Sequence, residues 1–492
     1  MFYVSEGEII FGEKYGSSPN ERLYVKPMGQ SNIVTLDNKN VNATNWITRI
    51  FLPHGYPESV SNDYLAYQIW DTAQAFCSTI AGTLATQEIL RGVGVGDTTT
   101  TPLAATVTWV IKDGCGHVGR ILFAFSHGTY LDAYSKKWRL YADTLNDAAM
   151  CIEIALPLFK NYTTFALCIS SVMKAIVGVA GGATRTAMTQ HHAVRGNMAD
   201  VAAKDSAQET TVNLIASLAA LVIIYCFGSS LFVFALMVVL HIVFNYFAVR
   251  AVSLKTLNET RYLQVINYYL KEELIAPPEV INKTEPIIFY QLGSNLLGLK
   301  LCGFKIIIGP PLKNIMKDKP KAFHFKNLSD IYYECNYILH HSIKDRKLYV
   351  LLKEKADSED ILCAYFHAVI LAVAICAIND EMTPLYKDAL NRPFGKIYNT
   401  IQFSEWSREP ATDVKNSQSG FFHEPTYELL RYVNFIVNKS QWKKIITNLQ
   451  KTGWDCSKHL LMVDEWRVRH TVLRPRNSRT MLNEPAADTN RI

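Results

Sequence analysis

Between Thr210 and Val249 the chain runs forty residues without Asp, Glu, Lys or Arg. Wound as one α-helix, such a run extends about 60 Å, roughly twice the hydrocarbon thickness of a bilayer. The segment "FGSS", residues 227–230, divides it with turn chemistry. The reading is therefore two membrane-spanning helices in a tight hairpin, 211–227 and 231–250. A helical pair buried in a large soluble core is the alternative, but apolar runs near twenty residues are rare in soluble folds.

The rest of the chain sharpens this picture. Residues 60–250 hold 24 charged residues in 191 positions, against 70 in the other 301, so the middle is lipophilic and its flanks have ordinary soluble composition. Residues 64–90 and 162–184 are further helical candidates, as are segments either side of residue 115 and "AAMCIEIALPLF", giving about six spans. Gly178 and Gly182 stand at GxxxG spacing, which lets membrane helices approach closely. Ten cysteines without a CxxC pair fit a reducing compartment. The first residues have neither the pattern of a secretory signal nor that of a transit peptide. A net charge of +6 without a long basic run argues against nucleic acid. The clusters Lys136-Lys137-Trp138-Arg139 and Arg467-Val468-Arg469 read as solvated faces or lipid-headgroup contacts.

"DGCGHVGR", residues 113–120, contains G-x-G-x-x-G at Gly114, Gly116 and Gly119. After a strand-like "TVTWVI" this is the form of a dinucleotide fingerprint. No alternation of strands and amphipathic helices surrounds it, as a doubly wound sheet requires. The preferred reading is a tight polar loop between two helices, fixed by a charge pair of Asp113 with Arg120. "GVGVGD", 92–97, reads likewise as a turn.

Directly before the apolar run lies "NMADVAAKDSAQET", residues 197–210. On a helix, Asn197, Asp200, Lys204, Gln208 and Thr211 form one polar stripe, and Asp205 with Glu209 a second, acidic one. Asp200 and Lys204 are an i, i+4 pair in the favourable order. Ala199, Ala202, Ala203, Ser206 and Thr210 make a small-residue face that another backbone can approach. Either the stripe is solvated beside the headgroups, or it faces a cavity or partner inside a bundle, where ionisable groups mark sites.

The run "GVAGGATRTAMTQHHAVRGNMADVAAKDSAQET", 178–210, resembles the central signature of the root UVB-sensitive family. So do "FLPHGYPESVSNDYLAYQIWD" (51–71), "ATVTWVIKDGCGHVGRILFAF" (105–125) and "WRLYADTLNDAAMCIEI" (138–154). The resemblance is strong over 40–250 and looser beyond. His192 stands where a Gln is commoner in the family, and Ala207 where a Ser is commoner. The resemblance implies a eukaryotic membrane or organelle-associated protein without an established enzymatic activity. It links plant members to seedling development, light responses and auxin transport, some of them in hetero-complexes. It also favours the cavity-facing reading of the polar helix, with Arg185 added to its functional set.

Residues 281–492 regain normal charge. "KLYVLLK", 347–353, alternates like a strand, and the segment after it reads as a helix capped by Asp357 or Ser358. "NKSQWKKIITNLQKTGW" reads as a helix and "HLLMVDEWRVRH" as a closing strand. His191-His192 and His340-His341 lack metal-ligand spacing or a Cys or Asp partner, so they read as core or surface histidines without a metal.

The expectation is a mainly α protein: a multi-helix membrane-embedded bundle followed by a small α+β soluble domain. The divisions are a polar N-terminal arm (1–40), a membrane domain (41–255), a helical connector (256–285), a C-terminal domain (286–470) and a tail (471–492). Lys204, Arg250, Lys255 and Arg261 at the open end of the hairpin place that end and the C-terminal domain on the cytosolic side of an intracellular or organelle membrane. The expected partners are the lipid bilayer and a protein subunit, homo- or hetero-oligomeric, and the cofactor is unknown. Transport or trafficking without catalysis is the leading function, and "KDGCGHVGR" faintly resembles a polar loop of major facilitator transporters. A membrane-embedded enzyme using Asp200, Lys204 and His191, and a scaffold for partner proteins, are the alternatives.

Overall fold

The computed structural model describes residues 7–14, 21–27, 29, 32–36, 46–92, 101–228, 230–288, 296–316, 322–390, 394–409 and 423–469. The chain is mainly α and divides into two compact units: residues 1–297 with 444–462, and residues 298–443 with 463–492. The boundary therefore departs from the expected domain scheme. The supposed connector belongs to the first unit, and the chain returns to that unit near its end.

The first unit opens with an antiparallel sheet, β1 (Gly7–Lys14), β2 (Glu21–Pro27) and β3 (Val34–Leu36), where the sequence suggested only an arm. After α1 (Trp46–Phe51) come the long helices α2 (Tyr64–Gly92), α3 (Pro102–Ala133), α4 (Ser135–Ile154), α5 (Thr163–His192), α6 (Met198–Phe227) and α7 (Leu231–Ala251). The hairpin of α6 and α7 forms as expected. Gly228 ends α6 at φ +67°, a conformation L side chains rarely adopt, and Ser230 caps α7 by accepting the Val233 N–H. The helices α5, α6 and α7 are each long and apolar enough to cross a membrane.

The polar insert is not a loop. Thr101 caps α3 by accepting the Ala104 N–H, Pro102 follows in the first turn, and the helix runs unbroken through "DGCGHVGR". "TVTWVI" is helical too, so neither the strand nor the fingerprint reading survives. Gly116 and Gly119 serve close packing instead. A Cβ on Gly116 would lie 2.6 Å from Ser171 Oγ, and one on Gly119 2.9 Å from Val172 Cγ1, so α3 lies directly on α5. The GxxxG pair does not do this: Gly182 has open space beside it, and a Cβ on Gly178 would touch only the Arg120 guanidinium, at 3.6 Å. Most of the "GVGVGD" segment lies outside the described residues.

The helix α2 packs against α4, α6 and α7. Ile80, Leu84, Met150 and Phe234 fill the space between them, and the fully buried Ala216 and Ala220 let α6 come close. After α7, β4 (Thr256–Asn258) pairs in parallel with β8 (Asp455–Leu460), and α8 (Glu259–Glu272) follows. Around them Lys136, Asn258, Arg261, Asn282 and Glu285 are all buried. Arg261 and Lys136 lie 3.2 and 3.6 Å from the Glu285 carboxylate. Burial alone raises the Glu285 carboxyl, but Arg261 and Lys136 outweigh it and hold the group below its ordinary value. The Lys136–Arg139 cluster is thus interior, not a solvated face. Arg261, one of the four basic residues at the open end of the hairpin, is buried as well.

In the second unit, β5 (Lys305–Ile308), β7 (Lys347–Lys353) and β6 (Tyr337–Ser342) form one sheet in that order, and β9 (Arg467–Val468) pairs with β7. β7 forms where its pattern indicated, but it is buried on both faces. Asp357 caps the next helix, Ser358–Ile378, in a reciprocal capping box with Asp360. That helix also has the length and apolarity of a membrane span, yet residues 361–378 are wholly buried and form the core of this unit. The expected closing strand is divided: His459 and Leu460 pair with β4, and only Arg467–Val468 joins β7. The tail, and most of the loop around residues 405–422, lie outside the described residues.

Candidate functional site

The polar groups of the first unit are arranged along its interior. Helix α2 presents Gln68, Asp71 and Gln74 on neighbouring turns, α4 presents Arg139, Asp143 and Asp147 at i, i+4, i+8, and α7 presents His241 and Asn245 at i, i+4. The Arg139 guanidinium donates to Asp71 at 3.0 Å and lies 3.4 Å from Asp143. Asn245 donates to Asp143. Gln74 donates to Asp71 at 3.2 Å, and its carbonyl oxygen meets His241 Nε2 at 2.8 Å. His241 Nδ1 reaches Asp147 at 2.8 Å. One connected line of charges and amides thus passes between α2, α4 and α7.

The predicted polar helix carries a second cluster, with its partners redistributed. Asp205 is buried and takes two bonds from Arg185, at 2.8 Å from Nε and 2.7 Å from Nη2, plus one from Gln68 at 3.2 Å. Arg185 Nη1 also meets Glu209 at 2.6 Å. The other stripe clasps the segment around α1. Asp200 accepts the His54 N–H at 2.7 Å, Lys204 donates to the Arg49 carbonyl at 2.5 Å, and Gln208 to the Phe51 carbonyl at 2.5 Å. Asp200 and Lys204 therefore hold backbone, and among the described residues no ion pair joins them. Asn197 sits at the start of α6 and accepts the Arg195 N–H.

On the far side of α5, a cleft of about 270 Å³ is lined by Lys112, Asp113, His117, Arg120, Glu153 and Lys174. Buried Glu153 is met by Lys174 at 2.6 Å and Ser170 at 2.5 Å. Asp113 pairs with Lys112 at 3.3 Å, and among the described residues no ion pair joins it to Arg120. Gly114 faces open space.

The histidine pairs do find partners. Asp63, just before α2, lies 2.9 Å from His191 Nε2 and 3.6 Å from His192 Nδ1, and Ser61 Oγ lies 2.6 Å from His192 Nδ1. Asp63 Oδ2 also accepts the Ser253 N–H at 2.6 Å. Burial would raise the Asp63 carboxyl, but His191 and His192 together outweigh it and hold the group far below the carboxylate range. The sequence reading saw no acidic partner because Asp63 is 128 residues from His191. In the second unit His340 Nδ1 meets His324 Nε2 at 3.1 Å, and His341 lies 3.6 Å from Glu424.

The line through Asp71, Gln74, Arg139, Asp143, Asp147, His241 and Asn245 was not singled out from sequence. Its signal was present: polar residues three or four apart along single helices, including the only histidine in the charge-free run.

Residues 37–273 match the family model of the vitamin B6 photo-protection and homoeostasis domain, and residues 274–470 match that of the root UVB sensitive protein C-terminal region. The chain belongs to the root UVB-sensitive family. It is 44% identical over 273 residues to RUS family member 1 of Dictyostelium discoideum, covering 54% of this chain and 52% of that relative. It is 29% identical to protein root UVB sensitive 3 of Arabidopsis thaliana, covering 82% of this chain and 93% of the relative. A further Arabidopsis relative, root UVB sensitive 2, chloroplastic, is 27% identical over 72% of this chain and 80% of its own length. No solved structure matches. The first family model contains the whole interior line, from Gln68 to Asn245.

Proposed function

We propose that this chain is a non-enzymatic, multi-pass integral protein of an intracellular or organelle membrane, supporting the transport or trafficking of a small polar solute in vitamin B6 homoeostasis. The observation that carries the reading is the connected line of ionisable and amide groups, Arg139 at its centre, held between α2, α4 and α7, of which α7 has the length and apolarity of a membrane span. Ionisable groups at such depth are costly unless paired and mark solute or proton paths. The family description supplies the vitamin B6 connection. Purified full-length chain in liposomes should take up a labelled vitamin B6 vitamer (pyridoxal, pyridoxine or pyridoxal 5′-phosphate). Arg139→Gln should abolish uptake while inserting normally. No flux of any vitamer by correctly inserted protein overturns the transport reading.

The protein works in a complex on this reading. The exposed face of α3, with Leu103, Val107, Val110, Ile121 and Phe125, supports contact with lipid or a partner helix. The C-terminal unit stands on the cytosolic side. Cross-linking in native membranes through cysteines placed at 110 and 121 tests the partner.

A further inference from the structure

The cluster at the polar end of α5 has the spacing of a metal site. The ligand atoms of Asp63, His191 and His192 all lie within 4.8 Å of one another. Zinc bound by imidazole nitrogens and a carboxylate oxygen at about 2.0–2.2 Å in a tetrahedron holds its ligand atoms roughly 3.3–3.5 Å apart. The separations here are close to that: 3.2 Å from His191 Nε2 to Asp63 Oδ1, and 3.6 Å from His192 Nδ1 to the same oxygen.

The surroundings suit a ligand set. The Asp63 carboxylate is held by the Ser253 N–H at Oδ2 and by the Ser61 hydroxyl at Oδ1, and both of its oxygens face His191 Nε2, at 2.9 and 3.2 Å. His192 Nε2 is buried and has no hydrogen-bond partner. An imidazole that binds metal through one nitrogen gives its other N–H to a carboxylate, a carbonyl or a water. His192 lines a cavity of about 10 Å³ together with Gln68, Thr189 and Asp205, room for one water with polar partners. Asp63 and His191 keep 13% and 9% of their side-chain surface, so an ion can enter from the solvent side.

We propose that Asp63, His191 and His192 bind one divalent transition-metal ion, zinc by the ligand set, with a fourth position open to water or the Ser61 hydroxyl. Two histidines and one carboxylate with an open position form a common donor set for such ions. The ion ties the start of α2 to the end of α5, fixing the junction from which α6 departs. The inference does not depend on the transport reading.

The test uses full-length protein in detergent, stripped with chelator and titrated with cobalt(II), then analysed for bound zinc. The expected result is one ion per chain and the strong visible absorption of tetrahedral cobalt. Asp63→Asn, His191→Ala and His192→Gln should each weaken cobalt binding by about tenfold or more. His192→Gln guards against misfolding as the conservative change, an uncharged amide of similar size in place of the ring, so its melting temperature in chelator should match the parent's. A parent chain that takes up neither ion at micromolar concentration overturns the proposal. So does a folded His192→Gln chain that binds like the parent.

Discussion

Neutralising Asp205 should be far more damaging than neutralising Asp200, although both sit on the same helix five residues apart. The Asp205 side chain is 10% exposed, and its carboxylate takes both Arg185 contacts plus Gln68. Removing one partner of a fully buried pair costs about 3–5 kcal/mol. Arg185 keeps 35% exposure and a second acid, Glu209, so water and Glu209 offset part of the loss and about 2–3 kcal/mol remains for Asp205→Asn. At about 2–4 °C per kcal/mol, that lowers the melting temperature by roughly 5–10 °C. Asp200→Asn keeps an acceptor for the His54 N–H and should cost less than about 1 kcal/mol. Lys204→Met loses one bond to a backbone carbonyl, again about 1 kcal/mol. The double variant Arg185→Gln with Asp205→Asn should be milder than the sum of its singles by about 1–3 kcal/mol, since neither leaves an orphaned charge. Intrinsic-fluorescence melting of purified full-length protein measures all five. An Asp200 variant less stable than the Asp205 one, or additive singles in the double, would refute the reasoning.

Three further outcomes follow from other contacts. Gly116→Val or Gly119→Leu should destabilise by about 1–3 kcal/mol through overpacking against α5, while Gly182→Ala stays within about 0.5 kcal/mol, as melting will read out. The protein should resist alkaline carbonate extraction, and single cysteines at 195 and 255 should label from the same side of the membrane; labelling from opposite sides excludes the hairpin. Burial, then the nearby His341 and His324, lowers His340 to about 3, against about 6.5 unfolded. A histidine depressed in the folded state contributes stability that is complete above about pH 6.5 and lost as pH falls toward 3, at most about 1.4 kcal/mol per pH unit. Melting of the second unit should therefore drop between about pH 7 and pH 5, and His340→Asn should flatten the slope.

The one-dimensional pattern of the chain determined its helices wherever burial and composition agree. The charge-free run, its "FGSS" break and the Asp357 cap each encode an element locally, through apolarity, turn chemistry and capping, and each stands as expected. Family membership was legible too, because long ordered motifs survive in the sequence. Partners were not. The i, i+4 spacing of Asp200 and Lys204 permits a contact, but tertiary packing offers each a backbone group from the segment around α1 instead. The glycines of "DGCGHVGR" look like turn formers because a sequence cannot say whether glycine is used for its free backbone or for its missing Cβ. Only the approach of α5 decides that it is the second. Lys136 and Arg139 read as surface because charge usually is. Their burial is possible only because Glu285 and Asp71 arrive from elsewhere in the chain to neutralise them, an arrangement that exists only in three dimensions.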